Sequence, residues 1–420
     1  MRDKGMTMKK LQHIIMIALI LLGLVTPALA QEQTDNFNVS AKHAIAIEAT
    51  TGKVLYEKDA TTPDGVASMT KILTAYMVYK AVDQGKITWD TEVDISDYPF
   101  NLTVDSEVSN VPLDSRKYTV KQLLDATLIS SANSAAIALA EKISGSESAF
   151  VDTMTAQLKE WGITDAKLFN ASGLNNKYLG DNRYPGSKAD DENTMSALDV
   201  AIIADHLIKD YPQVLEITKQ TETDFEGDNK LTTHNYMLEG QDNYREGVDG
   251  LKTGTTELAG ASFVAHANEN GMSLITVVMN ADNGGEDEAA RFTATNELLD
   301  YVTQNWEIKT LNTKGQIVKK NDIKVADGDS QTISAKLESD LTVVQKINSK
   351  NDAVKIKTIT APIKKGDTIG TATFDDKDLV GTGYISDPPQ ISVTANQSIK
   401  KSFFLKVWWN HIVNFFTGNK

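Results

Sequence analysis

Ser68 and Lys71 are the pair of residues in this chain best suited to covalent chemistry. A serine hydroxyl is a poor nucleophile until a neighbour takes its proton. On a helix, positions three apart share a face, so the Lys71 amine lies within reach of the Ser68 hydroxyl. The amine is a base only when neutral, and burial or a second cation lowers a lysine's pKa. Lys252, in the run Lys252-Thr253-Gly254, would supply that cation. Between the two stands Ser131-Ala132-Asn133. Ser131 would relay a proton to a leaving amine, and Asn133 would hold Lys71 and a substrate amide. Lys252 and Thr253 would bind an anionic group. Gly254, without a side chain, would let a substrate backbone approach the strand edge. The backbone N–H groups of Ser68 and Thr255 would form an oxyanion hole, where losing one donor typically costs about 10²–10³ in rate. These residues describe an acylating serine site with no histidine in it.

Each run has an ordinary reading by itself. A serine at a helix start is most often an N-cap, and an asparagine in a turn is most often there for the turn. A second S-x-x-K occurs at Ser398–Lys401, and a second S-x-N at Ser349–Asn351, neither in a catalytic setting. Order, spacing and flanks carry the reading. Other hydrolase templates fit poorly. No G-x-S-x-G elbow occurs, and none of the six histidines stands in an H-x-H or H-E-x-x-H spacing. With no cysteine, thiol catalysis and Cys-based metal sites are excluded. No metal or other cofactor is expected.

The elements that must position these groups are legible as patterns. His43–Ile47 and Val54–Tyr56 read as a hairpin turning at Thr50–Lys53. From Met69, apolar residues at Ile72, Leu73, Tyr76, Met77, Tyr79 and Val82 predict a buried helix with Ser68 at its mouth. Residues 84–120 read as loops and short strands. Residues 120–143 read as helices broken near Ser130-Ser131, which puts Ser131 and Asn133 at an inter-helix turn. Residues 149–161 and 194–208 read as further helices, the second with Asp199 and Asp205 outward. The long polar stretch 168–194 would rim a cleft. Residues 248–256, 261–267 and 274–280 read as strands, the last two joined by a turn at Asn270-Gly271, and 289–302 as a closing helix. Beyond Trp306 helical periodicity gives way to short alternating runs, an all-β domain at 307–395 with no evident chemistry.

The 420 residues, 41 % hydrophobic and 24 % charged, suffice for two folded units with real cores. The net charge of −15 argues against a nucleic-acid partner. The ends point outside the cytoplasm. Arg2, Lys4, Lys9 and Lys10 precede an apolar stretch, Ile14–Leu24, and an A-x-A site at Ala28–Ala30. Residues 1–30 are therefore expected to be a cleaved secretory signal, with 31–38 a linker and 39–306 the catalytic domain. In 396–420, a helix over 403–416 would gather Trp408, Trp409 and the phenylalanines on one face beside Lys400, Lys401 and Lys406. At about 21 Å it is too short to span a bilayer. It suits lying in the interface of an anionic membrane, as a peripheral anchor on the outer face of the cytoplasmic membrane.

With Ala67–Lys71, Leu128–Ala135, Phe169–Leu174 and Val248–Thr256 in this order, the chain resembles the low-molecular-mass penicillin-binding proteins, D-alanyl-D-alanine carboxypeptidases of the S11 serine peptidase type. The likeness covers essentially the whole chain. It implies an α/β, transpeptidase and β-lactamase-like catalytic domain: an antiparallel sheet flanked by helices, beside a helical subdomain. It implies removal of the terminal D-alanine from peptidoglycan stem pentapeptides through a Ser68 acyl-enzyme, limiting cross-linking in the wall, and acylation by β-lactams. It also implies a downstream arginine for the substrate's terminal carboxylate, for which Arg291 is the candidate. The middle motif carries alanine where the family often has glycine, which keeps both functional side chains. A class A β-lactamase is the nearest rival, but no E-x-x-L-N stretch follows Asn133. A membrane-tethered protein that binds β-lactams without turning over wall peptide is another, and endopeptidase or transpeptidase activity at the same site a third.

Overall fold

The computed structural model describes residues 37–104, 107–317, 323–351, 354–357 and 359–403. The expected signal segment lies outside these residues, as does the C-terminal helix beyond Phe403.

The catalytic portion is built on five antiparallel strands: β1 (Ala41–Glu48), β2 (Lys53–Lys58), β3 (Val248–Thr256), β4 (Gly260–Glu269) and β5 (Met272–Ala281), in the order β2-β1-β5-β4-β3. Successive side chains on a strand point to opposite faces, and here both faces are covered. Ile45, Ile47, Val264, Ile275 and Val277 enter one apolar core, while Ala44, Ala46, Phe263, Leu274 and Val278 enter the other. This is why the central strands read as near-continuous apolar runs rather than as clean alternation. Asn270 and Gly271 both have positive φ, 52° and 77°, as a two-residue hairpin turn requires.

One face carries α1 (Lys71–Asp83) and the helical subdomain: α2 (Asp97–Leu102), α3 (Val120–Leu128), α4 (Asn133–Ser144), α5 (Glu147–Glu160) and α6 (Ala197–Asp210). The other is closed by α7 (Ala290–Asn305) through Phe292, Leu298, Leu299 and Val302. α1 is apolar nearly all round and correspondingly buried.

Two expectations are corrected. The stretch 84–120 contains α2, a short helix whose Pro99 sits in the first turn, where a missing N–H costs no bond. Asp199 and Asp205 do not face outward. Asp199 closes a capping box with Ser196, and Asp205 is buried against Lys209.

From Trp306 the chain is short strands around a separate core that includes Ile323, Leu337, Leu341, Ala372 and Val393. The two portions meet at Lys53. Its amine donates to the Val344 carbonyl at 2.8 Å, pairs with Asp376 at 2.7 Å and lies 4.7 Å from the centre of the Trp306 ring.

Candidate functional site

Ser68 lies in a single 3₁₀ turn, Ala67–Thr70, that leads directly into α1. The turn is held in an unusual shape. Ala67 has φ +44°, and Gly173 packs so closely on its carbonyl that a Cβ there would sit 1.8 Å from the oxygen. Glycine is the residue that tolerates both that approach and its own φ of +81°.

Lys71 opens α1 and is fully buried. Its Nζ is 2.9 Å from Ser68 Oγ, 2.6 Å from Asn133 Oδ1 and 2.8 Å from the Ser172 carbonyl. All three partners are neutral. Burial first, and the Lys252 charge second, hold the amine well below the ordinary lysine range. A neutral amine has two N–H donors and one lone pair. With the two carbonyl oxygens taking those donors, the lone pair of a neutral Lys71 would face the Ser68 hydroxyl. The geometry is that of a base poised on a nucleophile.

Ser131 and Asn133 occupy the turn between α3 and α4. Ser131 has φ +57°, and its neighbour Ser130 pins the turn by accepting from the Thr232 N–H at 2.9 Å. Asn133 donates both its backbone N–H and its side-chain amide to the Ser109 carbonyl, which turns its oxygen toward Lys71.

Lys252, Thr253, Gly254 and Thr255 follow one another along β3, the edge strand. Lys252 is buried, and burial together with the Arg291 charge pushes its amine down to about 7. A Cβ on Gly254 would lie 2.8 Å from the Val66 carbonyl and 3.2 Å from Met69 Cγ. The missing side chain thus lets β3 press against the Ser68 turn, a different use from the substrate approach expected of it. Arg291, at the start of α7, is buried, and five hydrogen bonds account for its donors. They go to the carbonyls of Gly254, Ser262 and Glu288, the Glu288 carboxylate, and Thr255 Oγ1 at 2.8 Å. Arg291 thus lines the cleft with its donors already held by these partners, Thr255 among them.

A cavity of about 340 Å³ brings Ser68, Ser131, His234, Thr253, Thr255 and Arg291 onto one wall system. A second, of about 300 Å³, opens from Ser68 and Thr255 toward Asn133 and the 173–178 segment. Sequence reasoning gave no role to His234, Ser172 or Glu147, although Ser172 stands in the run Phe169–Leu174. Ser172 contributes a backbone carbonyl, invisible to residue-type logic. Glu147 accepts from the Ala171 N–H at 2.9 Å and the Tyr98 hydroxyl at 2.7 Å, and burial pushes its carboxyl up to about 7. A second surprise is an Asp249–His266–Ser273 line of contacts, with His266 Nε2 2.9 Å from Ser273 Oγ. None of the three lines either cavity at Ser68, and the contacts tie β3, β4 and β5 together. Among the described residues no cluster of three or more His, Asp or Glu could hold a metal ion.

A family model described as D-alanyl-D-alanine carboxypeptidase matches residues 29–283, and one described as the C-terminal domain of penicillin-binding protein 5 matches residues 306–401. Over 411 residues the chain is 31 % identical to the D-alanyl-D-alanine carboxypeptidase DacF of Bacillus subtilis, covering 95 % of this chain and 96 % of that protein. Its structure is similar to that of a peptidoglycan synthesis regulatory factor from Streptococcus pneumoniae, with a TM-score of 0.77, 51 % identity, and coverage of 87 % of this chain and 100 % of that one. It is also similar to penicillin-binding protein D2 from Listeria monocytogenes in its ampicillin-bound form, with a TM-score of 0.53, 28 % identity, and coverage of 64 % and 99 %.

Proposed function

On the premise that the chain belongs to the D-alanyl-D-alanine carboxypeptidase family of penicillin-binding proteins, we propose the following roles for its residues. The Ser68 hydroxyl gives its proton to neutral Lys71 and attacks the carbonyl between the last two D-alanines. The backbone N–H groups of Ser68 and Thr255 receive the oxyanion. As the peptide bond breaks, Lys71 returns the proton through the Ser131 hydroxyl to the departing amine. Water then hydrolyses the ester and restores Ser68. The hydroxyls of Thr253 and Thr255 hold the substrate's terminal carboxylate, with Lys252 and Arg291 supplying positive charge behind them. Asn133 holds Lys71 and the substrate amide.

The observation that carries this reading is the set of partners around Lys71. A fully buried amine among neutral oxygens, with a second lysine's charge nearby, has its pKa held well below the ordinary lysine range, which favours the free base, and it is hydrogen-bonded to the Ser68 hydroxyl. The same hydroxyl would open a β-lactam ring and form a stable ester. We place the enzyme on the outer face of the cytoplasmic membrane, with residues 403–416 as its interfacial anchor. Residues 396–402 pack into the β-domain, with Ile399 in its core, so removing residues 404–420 alone should then abolish binding to anionic lipid vesicles.

The deciding experiment measures D-alanine release from a peptide ending in D-Ala-D-Ala by the chain and by its Ser68→Ala variant. Release by the first and none by the second is expected. Release by both would refute Ser68 as nucleophile. No release by either, with penicillin still labelling Ser68, would favour a β-lactam-binding protein without wall-peptide turnover.

A further inference from the structure

We propose that Glu147 is a positioning residue for the general base, acting through the two segments that hold Lys71; the inference rests on the reading of Lys71 given above. Two acceptors take the N–H groups of Lys71, and each belongs to a segment tied to this carboxylate. The Ser172 carbonyl comes from the loop 169–174. Within it Asn170 Oδ1 accepts from the Ser172 and Gly173 N–H groups, and Asn193 donates to the Asn170 carbonyl. The outward fastening of its centre is Glu147 Oε1, which accepts from the Ala171 N–H at 2.9 Å, while the Ala171 carbonyl accepts from Thr74 of α1. Glu147 thus sets how far the Ser172 carbonyl stands from α1, and so from the Lys71 amine.

The other acceptor, Asn133 Oδ1, is oriented by the Ser109 carbonyl. Ser109 follows α2, and Asn110 ties the two together. Its side-chain amide donates to the Leu102 carbonyl at the end of α2, and its oxygen accepts from the Ser134 N–H at the start of α4. α2 itself is fastened by Tyr98, whose hydroxyl donates to Glu147 Oε2 at 2.7 Å. One buried side chain at the first position of α5 therefore anchors both supports of the base. What the site uses is reach: two oxygens at a fixed distance from the α5 backbone. A glutamine has the same reach and can accept from Ala171 and donate to the tyrosine oxygen. An aspartate keeps the charge and loses one methylene of reach.

The test compares Glu147→Gln, Glu147→Asp and Lys71→Met in the full chain, with kcat normalised to the sites that penicillin acylates in the parent and Glu147 variants. Glu147→Asp should lower kcat about 10–100-fold with KM nearly constant, since a misplacement of about 1 Å at a reacting group can cost about 10²-fold. Glu147→Gln should keep kcat close to that of the parent. Equal behaviour of the two variants overturns the proposal, as does an active Glu147→Asp beside an impaired Glu147→Gln, which would assign the effect to charge. If Lys71→Met retained acylation, the reading of Lys71 as base would fall instead. Thermal unfolding of each variant separates lost fold from lost placement.

Discussion

Among the described residues Lys53 and Lys71 are both fully shielded from solvent, and they do opposite work. Lys53 lies where the catalytic portion meets the β-domain, and Lys71 lies behind the nucleophile. Burial lowers the pKa of both. At Lys53 the carboxylate of Asp376 pushes back, itself held by the Tyr384 hydroxyl at 2.7 Å. At Lys71 the neighbours are two carbonyl oxygens, a hydroxyl and, further off, the charge of Lys252. Desolvation alone makes a lysine easier to deprotonate. The counter-charge decides whether it serves as a cation that binds segments together or as a base that moves a proton.

Replacing the base should have the largest effect. Lys71→Met removes the proton acceptor, and acylation by penicillin should fall by about 10²–10⁴, the usual share of a positioned acid–base group. Its stability cost should be the smaller of the two lysine replacements, because it strands two neutral acceptors rather than a charge. Stopped-flow acylation and a melting curve check both halves. An acylation rate near that of the parent would break the comparison at its centre.

Lys53→Met should do the reverse. It leaves Asp376 buried without its cation, at a cost of about 3–5 kcal/mol in stability. kcat per acylatable site should stay that of the parent, since Lys53 touches nothing in the cleft. Denaturant unfolding combined with penicillin titration reads the two quantities separately. A fall in kcat at full folding would mean that the junction communicates with the cleft.

The same contrast explains what could be read in the sequence. Ser68, Lys71, Ser131, Asn133 and Lys252 stood out because chemistry restricts residue types there, and the structure brings them together around one cleft. The strands and long helices were legible because burial on one or two faces imposes a period. What stayed hidden has no residue-type signature. The Ser172 contribution is a backbone carbonyl. Gly254 looked like room for substrate, whereas it is room for Val66 and Met69. Arg291 was the candidate for helping to bind a terminal carboxylate, and only its neighbours in space reveal the five hydrogen bonds that hold its donors. Lys53 and Asp376 are brought together by the docking of two cores, which no local pattern encodes.

The effect smallest per step of the titration follows from linkage, and it tests the protonation state of Lys71 without any substrate. The folded pKa of Lys71 lies well below the ordinary 10.5. Between that folded value and 10.5 the unfolded chain binds one more proton than the folded one. Unfolding free energy must therefore rise with pH across this window, by up to about 1.4 kcal/mol per unit from this one group. Below the folded pKa the amine is protonated in both states, its desolvation penalty is fully present, and the contribution is flat. Carboxylates, tyrosines, Lys53 and Lys252 also titrate, but they are common to the parent and to Lys71→Met; of these Lys252 is coupled to Lys71 by charge, so the stability difference between the two reads Lys71 together with that coupling. That difference should grow in favour of the parent as pH rises from neutral toward 10. For Lys53→Met the corresponding rise should begin at higher pH, because Asp376 opposes the shift. A flat difference for Lys71→Met across the whole range would mean that Lys71 keeps an ordinary ammonium when buried. It would then be a second Lys53, and the proton of Ser68 would need another acceptor.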